Sequence, residues 1–187
     1  MTVQHDIFKF VIDALERLKI PYMIAGSMAS IAYGRPRMTL DMDLVVDMKE
    51  KDANGFAAAF GGEYYVNLDS VLEAIRTKGH FNIIQSEKGV KIDFYVLPDD
   101  DFSREEFARR QKGAFDKEAQ ADFASPEDVV LKKLEWYKMG ESQKHLDDIK
   151  GILELSGSKL DMPYIDKWAI KIGVQDIWQK LRKGLKV

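Results

Sequence analysis

The sequence predicts an α+β fold, a mixed β-sheet flanked by helices and followed by a C-terminal helical region. Three observations carry that expectation. Short apolar runs punctuated by proline and glycine alternate with segments of helical period as far as Ser125. Two of those runs, 81–85 and 90–97, are separated by Ser86-Glu87-Lys88-Gly89 and read together as a β-hairpin with a four-residue turn. From Ser125 onward every periodic segment is helical. The expected division is an α/β core over 1–124 and a helical region over 125–187, either a separate unit or helices packed back on the core.

Taken in order, Ile7, Val11, Ala14, Leu15 and Leu18 recur at helical spacing and predict an amphipathic helix over 6–19 that Pro21 ends. "YMIA" at 22–25 is apolar, short and bounded by Pro21 and Gly26, as suits a buried strand. Ser27 suits the N-cap of a short helix over 28–33, which Gly34 terminates. A strand is expected over 40–48, a helix over 49–60, a brief strand over 63–67 and a helix over 70–77. After the hairpin, a charged helix is expected from about Ser103, its early Glu105 and Glu106 matching the positive end of the helix dipole. "SPED" at 125–128 places serine at an N-cap and proline at the first helical position, and opens a helix running to Gly140. Further helices are expected over 142–156, 163–172 and 174–184, with Trp136, Trp168 and Trp178 in the core.

The bulk composition narrows the chemistry. Of 187 residues, 45% are hydrophobic and 32% charged, the mixture of a folded globular protein. The net charge of -3 supplies no global attraction to nucleic acid. Without cysteine there are no disulfides, thiolate zinc sites or cysteine nucleophiles. His5, His80 and His145 lack metal-ligand spacing. The first segment is too charged for a signal peptide and no apolar run reaches membrane length, so no membrane partner and a cytoplasmic location are expected.

The informative stretch is "GSMASIAYGRPRMTLDMDLVV", 26–46. Alternate residues of a strand share a face, so Asp41 and Asp43 point the same way with Cα atoms roughly 7 Å apart. Carboxylates that close raise each other's pKa unless a cation stands between them. Either they line a wet edge, or they need a partner; the following Val45 and Val46 have the pattern of a strand covered on both faces. A calcium loop is excluded, because Val46 stands where its glycine belongs and no glutamate is twelfth. That leaves a hard divalent ion of the Mg²⁺ type, held by few carboxylates and completed by phosphate oxygens. A strand entering Gly26-Ser27 and then a helix presents backbone N–H groups to phosphate; Ser27 either caps that helix or donates to a phosphate oxygen. Asp93, amid Ile92, Phe94, Tyr95, Val96 and Leu97, is either tied to a structural partner or a third carboxylate near the same ion, able there to take a proton from an attacking hydroxyl.

Gly26-Ser27, a gap of thirteen, Asp41-x-Asp43 and the later Asp93 resemble the nucleotidyltransferase superfamily of the polymerase-β type. The run Arg35-x-Arg37-x-Thr39-x-Asp41-x-Asp43 is similar to its minimal bacterial members, including the AbiEii-like toxin group. "SPEDVVLKKLEWYKMGESQKHLDDI" resembles the helical part of that group, in which a lysine (here Lys133) and a late aspartate (here Asp148) recur. His145, beside Lys144, departs from the acid expected there, and that cluster receives no catalytic role. The resemblance covers roughly 20–150. It implies transfer of a nucleoside monophosphate from a nucleoside triphosphate to an acceptor hydroxyl, with release of pyrophosphate. Asp41, Asp43 and Asp93 would be both catalytic and ligands of one or two Mg²⁺ ions. Gly26, Ser27, Arg35, Arg37 and Lys133 would bind the nucleotide. The acceptor would be tRNA, a protein or a small molecule, and a cognate antitoxin is an implied partner. The alternative is a non-catalytic nucleotide-binding or protein-interaction module of the same fold. Lys167, Lys171, Lys180, Arg182, Lys183 and Lys186 form either a basic face for tRNA or another polyanion, or the wet side of terminal helices.

Overall fold

The computed structural model describes residues 3–117 and 119–185. Seven strands form one mixed sheet: β1 (Tyr22–Ile24), β2 (Met42–Val46), β3 (Tyr64–Tyr65), β4 (His80–Gln85), β5 (Val90–Val96), β6 (Gln111–Ala114) and β7 (Gln120–Phe123), in the spatial order β3-β4-β5-β2-β1-β7-β6. The centre is parallel between β2 and β5, and β7 is parallel to β1; the remaining neighbours are antiparallel.

Strand period two decides the faces. Met42, Leu44 and Val46, with Ile92, Phe94, Val96, Phe81 and Ile83, are buried on one side. There α1 (Val3–Leu18), α3 (Glu50–Ala59) and α4 (Leu68–Thr77) bring their own buried faces. Phe56 of α3 meets Phe81 and Phe94 edge-on, at 5.5 and 5.2 Å between ring centroids, the favoured contact of aromatic quadrupoles. The opposite face of the central strands carries Asp43 and Val45, Asp93 and Tyr95, and His80, Asn82 and Ile84.

The second helix, α2 (Gly26–Tyr33), starts two residues earlier than the sequence predicts. Ala25 is its N-cap and makes no side-chain cap hydrogen bond, so Ser27 lies inside the first turn. Gly34 does end this helix, but with an extended φ of -125°. Its need is space: a Cβ would meet the backbone of Gly151 and Ile152 at 3.0–3.1 Å. Glycine thus lets the end of α2 pack against α7 (Gln143–Ser156).

One region departs from expectation. The charged helix α5 (Asp101–Ala108) begins before Ser103, capped by Asp100; β6 and β7 follow as a hairpin in a stretch where no strand is expected. Lys112, Gly113, Gln120 and Asp122 are poor strand formers, and pairing along the sheet edge overrides that preference. From Ser125 the expected helices appear: α6 (Pro126–Gly140), α7, α8 (Met162–Lys171) and α9 (Gln175–Leu185). Ser125 caps α6, accepting from the Asp128 N–H. Trp168 and Trp178 are buried as expected, whereas Trp136 is 46% exposed because Val129, Val130, Lys133 and Leu134 occupy the covered face of α6. No helix of the described residues is long and apolar enough to cross a membrane.

Candidate functional site

Asp43 and Asp93 are direct register partners on parallel β2 and β5, and so project from the same face of the sheet. Over Asp43 stands the entry to α2. Gly26 has φ +56°, and a Cβ there would collide with the Asp43 carboxylate, approaching its Cγ to 2.6 Å. Only glycine serves, for both conformation and space. The Ala25 N–H donates to the Asp43 carbonyl oxygen at 2.9 Å, and the Ser27 backbone N–H favours the charged form of the Asp43 carboxylate. The glycine-serine bend and the aspartate that follows it are therefore one packed unit.

Burial, then the charge of Asp93, push the Asp43 pKa above the ordinary carboxylate value; the Ser27 N–H and Lys133 oppose the rise, and Asp41 adds to it. Asp93 is 8% exposed, and its Oδ1 is buried without a hydrogen bond. Lys91 Nζ lies 2.7 Å from that oxygen as an ion pair, off the line a hydrogen bond requires. Asp41 precedes β2 and is exposed. The fold thus pairs two of the three expected acids and leaves the third beside them. No three His, Cys, Asp or Glu side chains among the described residues converge as a ready-made metal cage.

A second charged group adjoins the first. Asp148 of α7 receives Arg37 through Nε and Nη2, at 2.9 and 3.0 Å, and Lys133 Nζ at 2.8 Å. Asp148 and Lys133 are almost wholly covered. Burial would raise the Asp148 pKa, but hydrogen bonds and charge from Arg37 and Lys133 hold it below the ordinary carboxylate range. Arg37 Nη2 also donates to Ser27 Oγ at 2.8 Å, joining the cluster to the start of α2. His145 lies in the same field, with Nδ1 buried and without a partner; burial and Lys133, then Lys144 and Arg37, lower its pKa against the opposing pull of Asp148. It is a neighbour of the site.

Of the expected nucleotide-binding residues, Gly26, Ser27, Arg37 and Lys133 gather here. Arg35 does not join them: its guanidinium pairs with Glu154 at the surface. Sequence reasoning passed over Lys91 and left Asp148 without a role. The first is signalled only by its i,i+2 spacing to Asp93, and the second by nothing local, because Asp148 meets Arg37 across more than a hundred residues. Some of the terminal basic residues are engaged within the helical region. Arg182 pairs with Asp166, and Lys167 and Lys171 lie over the Trp168 ring; Lys186 lies outside the described residues. Two open hollows, of about 710 and 760 Å³, lie between α6, α7 and α9 and beside Arg109 and Tyr33. Neither is lined by the acid pair.

No family model and no curated protein matches the chain. Solved structures do. The antibiotic-resistance factor ANT(2")-Ia, in complex with adenylyl-2"-tobramycin, is similar at 16% identity and a TM-score of 0.59, over 91% of this chain and 97% of that one. The lincosamide antibiotic adenylyltransferase LnuA, lincomycin-bound, is similar at 13% identity and a TM-score of 0.54, over 83% and 99%. An antigenic nucleotidyltransferase-like protein from Paracoccidioides brasiliensis is similar at 16% identity and a TM-score of 0.52, over 96% and 92%. At these identities the likeness is one of fold: this chain has the mixed sheet and flanking helices of nucleotidyltransferase structures.

Proposed function

We propose that this protein is a nucleotidyltransferase that moves a nucleoside monophosphate from a nucleoside triphosphate to an acceptor hydroxyl. The observation that carries this reading is the in-register Asp43–Asp93 pair beneath the Gly26-Ser27 entry to α2. A buried carboxylate oxygen without a hydrogen bond, next to a second carboxylate, suits a hard cation, which Mg²⁺ satisfies with one or two carboxylates plus phosphate oxygens. Asp43 and Asp93, with Asp41 beside them, are the ligands in this reading. When bound, the ion neutralises charge building on the reacting phosphate and the departing pyrophosphate.

The chain's own residues supply the rest. Ser27 Oγ accepts from Arg37, which leaves its O–H free to donate to a phosphate oxygen. Arg37 and Lys133 place positive charge beside the start of α2, held by Asp148. In the transfer, the acceptor oxygen forms a bond to the α-phosphorus. The bond from that phosphorus to its bridging oxygen breaks, and the electron pair leaves on pyrophosphate. Asp93 takes the hydroxyl proton.

ANT(2")-Ia is in complex with adenylyl-2"-tobramycin and LnuA is lincomycin-bound, which supports a small-molecule acceptor. The 125–149 segment supports the AbiEii-like reading, with tRNA or protein as acceptor and a cognate antitoxin as partner. The exposure of Asp41 outside β2 favours the second reading, a module that binds nucleotide without transfer. The test is incubation with each labelled nucleoside triphosphate, Mg²⁺ and a panel holding tRNA, proteins, tobramycin and lincomycin. Labelled product is expected, and Asp43→Asn and Asp93→Asn should each lower it by on the order of a thousandfold. Triphosphate binding by calorimetry without product would favour the binding module.

A further inference from the structure

We infer that Lys91 is a built-in counter-ion of the acid pair, and that a divalent cation must displace its ammonium group to bind. The inference deepens the proposed function and rests on its assignment of the cation to Asp43 and Asp93. Lys91 and Asp93 stand two residues apart on β5 and therefore share a face. The ammonium lies 2.7 Å from Oδ1 of Asp93, the buried oxygen that has no hydrogen bond. Asp93 is register-paired with Asp43, so the ammonium sits on one member of that pair.

The pair makes a poor structural strut. Lys91 is 46% exposed along its side chain, and an ion pair open to solvent on one side adds little to stability. It does lower the cost of holding two carboxylates together before any ligand arrives. The same exposure lets the four-carbon stem swing outward when a stronger cation competes for Oδ1. Lys133 also lends its charge to Asp43, but it is covered and bonded to Asp148 and so is not free to swing aside.

Mn²⁺ is the probe, its free concentration read by electron paramagnetic resonance during titration of the full chain without nucleotide. Lys91→Met should bind Mn²⁺ about tenfold more tightly than the unaltered protein, since a positive charge in contact with a ligand oxygen has gone. Lys91→Arg, which keeps the charge, should stay near the unaltered value. Lys88→Met removes an exposed lysine at the hairpin turn and should change little, which separates contact from net charge. Equal or weaker binding by Lys91→Met overturns the inference, as does equal tightening by Lys88→Met. Asp43→Asn and Asp93→Asn discriminate further. If they weaken Mn²⁺ binding while Lys91→Met leaves it alone, only the counter-ion inference fails. If they do not weaken it, the acid pair is not the cation site and the proposed function fails with it.

Discussion

Two carboxylate groups in this molecule are drawn away from solvent, one wholly and the other in part, and behave differently. Around Asp128, which has no exposed surface, every acid has partners. Its Oδ2 accepts from the Ser125 hydroxyl, its Oδ1 accepts from Tyr164 at 2.7 Å, and Arg109 pairs with it and with Glu127. Glu127 in turn accepts the Asp161 N–H at 3.0 Å. Arg109 lies over the Tyr164 ring, 3.8 Å from its centroid. Asp43 and Asp93 instead stand side by side on neighbouring strands, with one half-exposed lysine against Asp93. A satisfied network ties α6 to α8; an under-satisfied pair stores a demand for positive charge. That demand, more than burial or acidity, separates a binding site from a structural ion pair.

The comparison can be broken experimentally. The largest effect should be on transfer: Asp43→Asn and Asp93→Asn should nearly abolish product yet leave the melting temperature equal or higher. The sign follows from Asp43. Its folded pKa lies above the ordinary 3.8, so ionising it costs stability as pH rises from that value through the raised one. Asparagine removes that cost, and the advantage of Asp43→Asn should fade on acidification. A large loss of stability would make these residues structural.

Asp128→Ala should show the reverse, with stability lower by about 3–5 kcal/mol because Arg109, Ser125 and Tyr164 lose a common partner. Denaturant melts would measure the loss, and the activity of the remaining folded protein should be little changed. Equal stability would erase the distinction between the two groups.

Glu106 of α5 sharpens the comparison from between. It is 3% exposed, with Lys132 no nearer than 4.0 Å. Burial, against the pull of Lys132 and with Asp128, Glu135 and Asp100 adding to it, pushes its pKa from 4.5 up to about 8. Ionising a group so raised costs stability from about pH 4.5 upward and fully above about 8. Glu106→Gln should therefore gain several degrees in melting temperature at pH 9 relative to pH 5, at roughly 2–4 °C per kcal/mol. A difference that does not vary with pH would show that Glu106 titrates normally. Smallest of all should be Arg35→Ala. This exposed pair with Glu154 should be worth under about 1 kcal/mol, and triphosphate binding by calorimetry should hardly move. A tenfold loss of binding would restore Arg35 to the site.

Much of this was legible from local pattern. The period-two hairpin, the helix opened by Ser125-Pro126, the Gly26-Ser27 bend and Asp43 and Asp93 all announce themselves within a few residues. The β6–β7 hairpin did not, because strands of glycine, glutamine and lysine exist only where an edge accepts them. Arg35 and Arg37 look alike in sequence. Their fates diverge because α7 presents Glu154 to one and Asp148 to the other.

The chain by itself determined which side chains share a face, since that follows from strand and helix periods and the spacing of apolar residues. It determined that Asp43 would stand in a strand and that glycine at 26 would mark the passage from strand to helix. Only the tertiary structure decided which strands became neighbours, and hence that Asp93 would meet Asp43 while Asp148 held Arg37 and Lys133. Those meetings depend on contacts between distant segments, whose energies belong to the packed sheet and helices and to no short stretch of residues.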